Sequence, residues 1–347
     1  MILNRIDTPF LWFAQLVDGK PKPWKHYSLD GVMINAYEIL GKKRANKEVR
    51  KRGIRGYLGF EGQTMMDSGG FQFMKKKELD MNPKKILKLY EDSKPDFGVV
   101  LDHPLAPNLS HKEKAYRWFK TLANTRIMMA NYNTNHTKLV PVIHGHSLSE
   151  IEWFIEELNK ISTFDVLGIG SLVPSVFSTK GAGGISNVVE IVNFVRKKLT
   201  DRKIHVFGVG STLTMHLMFY AGADSVDSSG WRTKAAYGAI QLPGVGDRYI
   251  TSRKRHKKYR NLSKKEEEIL NQCECPVCKR EGLEKLKKSF NSRALHNAWV
   301  FQKEVERARE LIGQEDYEIY VKNILSETPL SYLFEHAKKI KETHLLS

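Results

Sequence analysis

Short apolar runs alternate along the chain with longer stretches in which apolar residues recur every third or fourth position. The first pattern is that of strands buried on both faces, the second that of amphipathic helices. Residues 1–30, with Pro21, Pro23 and Trp24, show neither pattern and are expected to be irregular. Residues 31–40 read as a strand running into a turn, 42–55 as a basic exposed helix or loop, and 56–60 as a short strand. A helix is expected from Pro83, since proline suits a first helical turn. The apolar run 97–104 ends in Asp102, residues 111–131 read as a helix, and the run 139–146 ends in polar residues. Ser147 and Glu150 form a capping box for a helix over 150–160. A strand and turn follow at 165–172, a helix around 187–199, a strand at 204–210, a helix over 212–221 and a last strand at 223–229.

Apolar strands alternating with helices argue for parallel βα units, seven or eight here, with no repeat in sequence. The expected fold class is α/β, a TIM (β/α)8 barrel; a doubly wound sheet is the alternative. In such a barrel the active groups stand at the C-terminal ends of the strands. Asp67, Asp102, His144, Ser171 and Asp227 all fall there on this reading. Beyond residue 247 the composition shifts to the basic run 253–260, a short helix at 263–270, three clustered cysteines, a helix over 296–312 ended by Gly313, and a helical tail. The expected division is a catalytic barrel over 1–247 and a zinc-binding, helical segment over 248–347 packed on it.

The 347 residues suffice for a large core, and the net charge of +17 from 56 basic and 39 acidic residues suits a phosphate-bearing partner. A solvated basic surface is the bland alternative. No run of about 18 apolar residues occurs, so no membrane partner is expected. The mixed N-terminus does not read as a secretory signal, and the protein is expected in the cytoplasm.

Three features bear on chemistry. Cys273, Cys275 and Cys278 are the only cysteines and lie within six residues, which points to a metal rather than a disulfide framework. Zinc takes four tetrahedral ligands, and His296 is the best fourth, ahead of His336. A Cys-x-x-Cys redox pair is the competing reading. Asp67, Asp102 and Asp227 each end an apolar run beside small or turn-forming residues; singly each could be a helix cap. Paired carboxylates suit displacement at an anomeric carbon, one attacking and one handling protons. The pairs Gly168/Gly170 and Gly208/Gly210 lack the third glycine of a dinucleotide fingerprint, and are expected to let backbone approach a flat ligand.

Taken together these residues resemble the tRNA-guanine transglycosylase superfamily, over roughly residues 30–312. Asp67-Ser-Gly-Gly-Phe-Gln is similar to its Asp-Ser-Gly-Gly-aromatic-Gln signature. Cys273-x-Cys275-x-x-Cys278 with His296-Asn297 resembles its zinc motif, Gly170-Ser171-Leu172-Val-Pro its substrate turn, and Phe207-Gly-Val-Gly with Val226-Asp227-Ser-Ser its last catalytic strands. The resemblance implies exchange of guanine for a free 7-deazaguanine base without ATP. Asp227 would be the nucleophile that holds the sugar covalently and Asp67 the general acid/base. Asp102 would read the guanine edge, with Ser68, Gly69, His144, Gly170, Ser171 and Leu172 supporting the base and Phe71 and Phe207 sandwiching it. The implied zinc is structural, held by Cys273, Cys275, Cys278 and His296, and the implied assembly is a homodimer. His144 stands where the family commonly has Gln. The Cys278–His296 spacing, the run Asp227-Ser-Ser-Gly-Trp231-Arg232 and the basic charge resemble the branch that installs preQ0-like 7-deazaguanines in DNA, found in phages and genomic islands. DNA is therefore the favoured acceptor, with tRNA as the alternative. A non-catalytic zinc protein that binds nucleic acid is the reading from another class.

Overall fold

The computed structural model describes residues 8–73, 81–133, 135–177, 184–251 and 260–343. Its main sheet has nine parallel strand segments: β1 (Phe10–Ala14), β2 (Gly31–Asn35), β3 (Gln63–Asp67), β4 (Phe97–Val99), β5 (Lys138–Val140), β6 (Val142–His144), β7 (Val166–Gly170), β8 (Lys203–Val206) and β9 (Ser225–Ser228). They run in the order β5-β4-β3-β2-β1-β9-β8-β7-β6. The two ends of that order, β5 and β6, are one stretch of chain broken at Pro141, whose ring nitrogen has no proton to give a ladder. The break is bridged on both sides. Val140 O accepts from Val100 N at 2.9 Å and Pro141 O from Gly168 N at 2.9 Å. Counting β5 and β6 as one, the nine segments fill eight positions, and the sheet wraps into a nearly closed barrel.

The crossovers are helical. They include α1 (Ala36–Gly41), α2 (Lys43–Leu58), α3 (Pro83–Ser93), α4 (His111–Asn131), α5 (Leu148–Asn159), α6 (Val173–Phe177), α7 (Gly184–Lys198) and α8 (Thr214–Ala221). Alternate strand residues face two different cores, as the pleat demands. Phe10, Trp12, Met33, Met65, Phe97, Val99, Val140 and Val142 fill the barrel. Leu11, Phe13, Val32, Ile34, Met66, Leu167 and Val226 pack outward against the helices. Trp12 plugs the interior, with its ring 4.7 Å from Phe10 and 5.5 Å from Phe97.

Several expectations are corrected. Residues 10–14, expected to be irregular, form β1, buried between β2 and β9. Residues 56–58 are not a strand but the last turn of α2, which Gly59 ends at φ +61°. The helix expected over 296–312 already starts at Phe290. Ser147 does cap α5, accepting from Glu150 N at 3.3 Å, but the Glu150 carboxylate turns to His146 N and Lys114.

After β9, α9 (Gly230–Ala236) leads to a small sheet of β10 (Ala239–Leu242), β11 (Gly246–Tyr249) and β12 (Arg260–Asn261). Helices α10 (Lys264–Asn271), α11 (Pro276–Lys288), α12 (Phe290–Leu311), α13 (Glu315–Ser326) and α14 (Tyr332–Thr343) complete the chain. Asn297 ties α12 to the small sheet and to α9. Its Oδ1 accepts from Gln241 N at 2.8 Å, and its Nδ2 donates to Trp231 O at 3.0 Å. At its other end α12 holds the start of the barrel: Gln302 Nε2 donates to Asp30 Oδ1 at 2.8 Å, Arg309 pairs with Asp30, and Asp30 Oδ2 accepts from Leu11 N at 3.1 Å. Of the basic run 253–260, only Arg260 lies within the described residues.

Candidate active site

Asp67 is the last residue of β3, directly opposite Asn35 at the end of β2. Asn35 Nδ2 donates to Asp67 Oδ2 at 3.0 Å, while its Oδ1 caps α1 by accepting from Glu38 N at 3.1 Å. An amide satisfied at both ends cannot turn freely, so it fixes the carboxylate. The next residues must make room. Gly69 sits at φ +94°, and a Cβ on Gly70 would come within 2.0 Å of Asp102 Oδ1. One glycine supplies the turn and the other lets a second acid come close. Burial, then the nearby charges of Asp102 and Asp227, push Asp67 up to about 8, against the hydrogen bonds of the Gly69 and Ser68 backbone.

Asp102 is held at both oxygens. Ser68 Oγ donates to Oδ1 at 3.1 Å, and His144 Nε2 lies 3.1 Å from Oδ2. His144 is fully buried, with Nδ1 2.8 Å from Ser171 Oγ, which accepts from Leu105 N at 2.8 Å. The Ser171 hydroxyl thus links the Leu105 backbone to the imidazole. Ser171 reaches this place with φ +66°, a left-handed conformation unusual for a side-chain-bearing residue. A Cβ on Gly170 would meet His144 Cε1 at 2.7 Å, so the glycine makes space for the imidazole.

Asp227, on β9, accepts from Gly208 N at 2.6 Å through Oδ1. His205 Nε2 lies 3.4 Å from the same oxygen, and His205 Nδ1 is 2.9 Å from Ser225 Oγ. The His205 ring also stands edge-on to Phe207, with centroids 4.3 Å apart. Gly168 leaves room for Phe207, whose Cε2 would lie 2.2 Å from an added Cβ. Gly210 approaches the Asp227 carbonyl, which would be 2.4 Å from its Cβ. At these glycines the close neighbours are the protein's own side chains and backbone.

The three acids face one cavity of about 170 Å³ at the C-terminal mouth of the barrel. A cavity on the order of 150 Å³ admits a benzene-sized ring, so this one suits a small flat heterocycle. Of the residues singled out in the sequence, Asp67, Phe71, Asp102, Gly170, Ser171, Phe207 and Asp227 line it. Ser68, Gly69, His144 and Leu172 stand behind the wall, buried. Phe71 is 52% exposed at the rim of the cavity. Sequence reading missed Met33, Val99 and Val142 in the lining, and Asn35 and His205 behind the acids. Strand pairing, seen only in the fold, sets Asn35 beside Asp67, and the pleat puts His205 on the same face as Phe207 two residues on.

A second cluster lies beyond the barrel. Cys273, Cys278 and His296 bring their donor atoms within 4.8 Å of one another, and this Cys2His group could hold a metal ion. His296 Nδ1 is 3.2 Å from Cys278 Sγ and 3.7 Å from Cys273 Sγ. Its Nε2 faces Gln241 O at 2.7 Å, which places the ring proton there and leaves Nδ1 to the thiols. Cys275 is fully buried and acts on the same groups. Hydrogen bonds from Cys275 and Cys278 draw the Cys273 thiol far down, whereas Cys273 and Cys275 push Cys278 up. Burial opposes a charge on His296, yet Cys273 and Cys275 raise it to about 10. Thiols that compete for one proton beside a cationic ring form a donor set a divalent cation would satisfy. Among the described residues no helix is long and apolar enough to cross a membrane.

The sequence model of the family described as Queuine tRNA-ribosyltransferase matches residues 5–329. Among curated proteins, the chain is 27% identical over 323 residues to the tRNA-guanine(15) transglycosylase of Pyrococcus abyssi, covering 90% of this chain and 51% of that protein. It is 26% identical over 326 residues to the Pyrococcus furiosus protein of the same name, with coverages of 90% and 51%. The Methanosarcina mazei protein of that name matches at 27% over 298 residues, covering 84% and 56%. The chain thus spans about half the length of the curated relatives it matches.

Proposed function

Because the chain belongs to the queuine tRNA-ribosyltransferase family, we propose that it exchanges guanine in a nucleic acid for a 7-deazaguanine, through two displacements at one sugar carbon. The observation that carries this is the placement of two acids with different surroundings on one cavity. Asp227 is held by the Gly208 N–H as an acceptor, while Asp67 keeps its proton up to about pH 8. Asp227 attacks C1′ as the bond from C1′ to the base nitrogen breaks. The bonding electrons go to the base, and Asp67 supplies its proton. The incoming base returns a proton to Asp67 as its nitrogen attacks C1′, and the C1′–oxygen bond breaks to free Asp227. Asp102, anchored by Ser68 and His144, accepts the paired N–H groups of a guanine-like edge. Phe71 and Phe207 cover the faces of the ring, which must be flipped out of its stack to enter.

DNA is the acceptor we propose, on the strength of the +17 charge and the Asp227–Arg232 run. The tRNA reading is favoured by the names of the relatives. Radiolabelled guanine offered with duplex DNA or with bulk tRNA tests both: label in DNA alone supports the first, label in tRNA alone the second, and label in neither sinks base exchange. The cysteine cluster is proposed to hold a structural Zn²⁺ through Cys273, Cys275, Cys278 and His296. When bound, zinc supplies a crosslink between α11 and α12 and no chemistry at the cavity. The segment 248–347 then acts as a zinc-bearing addition to a barrel over 1–247. A cytoplasmic homodimer is the expected setting.

Two predictions arise here. Exchange by the wild type should decline as pH rises through about 8, where Asp67 loses the proton it must give. Because its folded pKa lies above the ordinary carboxylate value, the stability linked to this proton is present in full below about pH 4 and is lost toward pH 8. Asp67→Asn should therefore lose exchange by about 10²-fold or more, yet gain in Tm over the wild type, more at pH 8 than at pH 4. Melts at the two pH values that run parallel would sink the argument. In the second, His144→Ala should raise KM for the free base about tenfold or more by loosening Asp102, with a smaller change in kcat. His144→Gln, which keeps a donor, should recover part of the loss. An unchanged KM would show that His144 does not position Asp102.

A further inference from the structure

The basic stretch 42–55 takes no part in the site described above. Eight of its fourteen residues are Lys or Arg and one is acidic. Arg50 and Arg55 pair with Asp92 and Asp96, and Lys42 with Asp18 and Glu38. Lys43, Arg44, Lys47 and Lys51, and Lys20 on the facing loop, have no carboxylate within ion-pair reach among the described residues. Lys20, Lys43 and Arg44 border a groove, whereas Lys47 and Lys51 lie outside it. Lys20, Lys22, Lys42, Lys43, Arg44 and Arg52 line a groove of about 1060 Å³ between the loop after β1 and the start of α2. The acids on its walls are Glu48 and Asp18, and Asp18 is already engaged by Tyr57 at 2.6 Å and Lys42 at 3.2 Å.

The groove is built on the same scaffold as the catalytic acids. Its walls rise from the C-terminal ends of β1 and β2, the end of the barrel that carries Asp67. Asn35, which holds Asp67, also caps α1, and Glu38 of α1 accepts from Lys42 Nζ at 2.8 Å and Val17 N at 3.0 Å. Burial first, and then repulsion by Lys25, Arg52 and Lys20, lower the pKa of Lys22 against the pull of Asp18. Such crowding persists at a cost unless an anion relieves it.

We propose that this groove is a track for the phosphate backbone of the acceptor nucleic acid, which grips the strand flanking the flipped base. A free base carries no formal charge and has no use for it. A phosphodiester chain brings one charge per nucleotide and releases counterions as the cations replace them. The choice of polymer rests on the base-exchange reading.

The test is fluorescence anisotropy of the full chain with a short labelled DNA duplex and, in parallel, labelled tRNA, across a salt series. Lys43→Ala/Arg44→Ala removes two exposed cations from one wall. Lys160→Ala/Lys197→Ala removes two at the opposite end of the barrel, so net charge is matched. The groove pair should flatten the dependence of log K on log salt by about two units and weaken binding about 30-fold at about 0.15 M salt. The distant pair should change neither by much. Lys20→Ala, on the facing wall, should cost about one further unit of slope. Equal losses from both pairs, or unchanged binding by the groove pair on both probes, would overturn the track. Anisotropy needs no chemistry, so the groove can fail while labelled guanine is still exchanged, and can stand if exchange fails.

Discussion

On the proposed mechanism, Asp227→Ala should abolish guanine exchange, by about 10⁴-fold or more in kcat/KM, and should leave the melting temperature close to that of the wild type. The size follows from the role: without a nucleophile no covalent sugar intermediate forms, and neither displacement has a low route. The small effect on folding follows from the packing. Asp227 meets the cavity, the Gly208 N–H at 2.6 Å and the His205 ring at 3.4 Å, and removal leaves one backbone donor facing a wet mouth rather than a sealed core. Asp227→Asn is the sharper control, because its amide oxygen can still accept from Gly208. A wild-type protein incubated with acceptor and no free base should carry a covalent adduct that survives denaturation, and neither variant should. Exchange retained by Asp227→Ala would remove the covalent mechanism, and nucleic-acid binding without any exchange in the wild type would favour the non-catalytic reading.

If the cysteine cluster holds the proposed zinc, stripping it should lower the melting temperature by about 10 °C. The small core there consists of Ile240, Leu242, Ile250, Leu270, Cys275, Val277, Leu286 and Leu295. So few apolar side chains stabilise a folded unit weakly, and small units of this kind depend on staples. Zinc binding to such donor sets is worth on the order of 10 kcal/mol in isolated peptides. Part of that stability is lost with the ion, because the thiols must then share protons around the His296 ring. Cys278→Ser should behave like the stripped protein. Cys275→Ser separates a four-ligand from a three-ligand site: zinc content measured after dialysis should fall if Cys275 coordinates. An unchanged melt after verified removal would mean that the crosslink is dispensable.

The strands that end in Asp67, lead toward Asp102 and carry Asp227 were legible because an apolar run stopped by an acid and small residues is a strong local signal. The same rule failed at β1. Phe10–Ala14 is apolar at every position, with no alternation and two prolines soon after, and only its partners β2 and β9 make it a strand. Residues 56–58 misled in the opposite way: Tyr57 and Leu58 have strand propensity, but the helix beneath them runs on to Gly59. The acids of the cavity could be named from sequence, but the groups that hold them could not. Asn35, His205 and the Ser171–His144–Asp102 chain arise from contacts between strands, and separations of 20 to 42 residues carry no local signal.

The position of β1 has a consequence for how the chain is made. Of the described barrel strands it is made before the others, yet it lies between β2 and β9, and α12 grips its neighbour Asp30 from 272 residues away through Gln302. Until Ser225–Ser228 have been synthesised, β1 has one edge with no partner. Until α12 exists, the Asp30 carboxylate that steadies Leu11 lacks the Arg309 cation and the Gln302 amide. Closure of the barrel is therefore a late event of translation, governed by contacts of long sequence separation. A nascent chain stalled before residue 225 presents an open, apolar strand edge, the surface that a ribosome-associated chaperone would be drawn to shield.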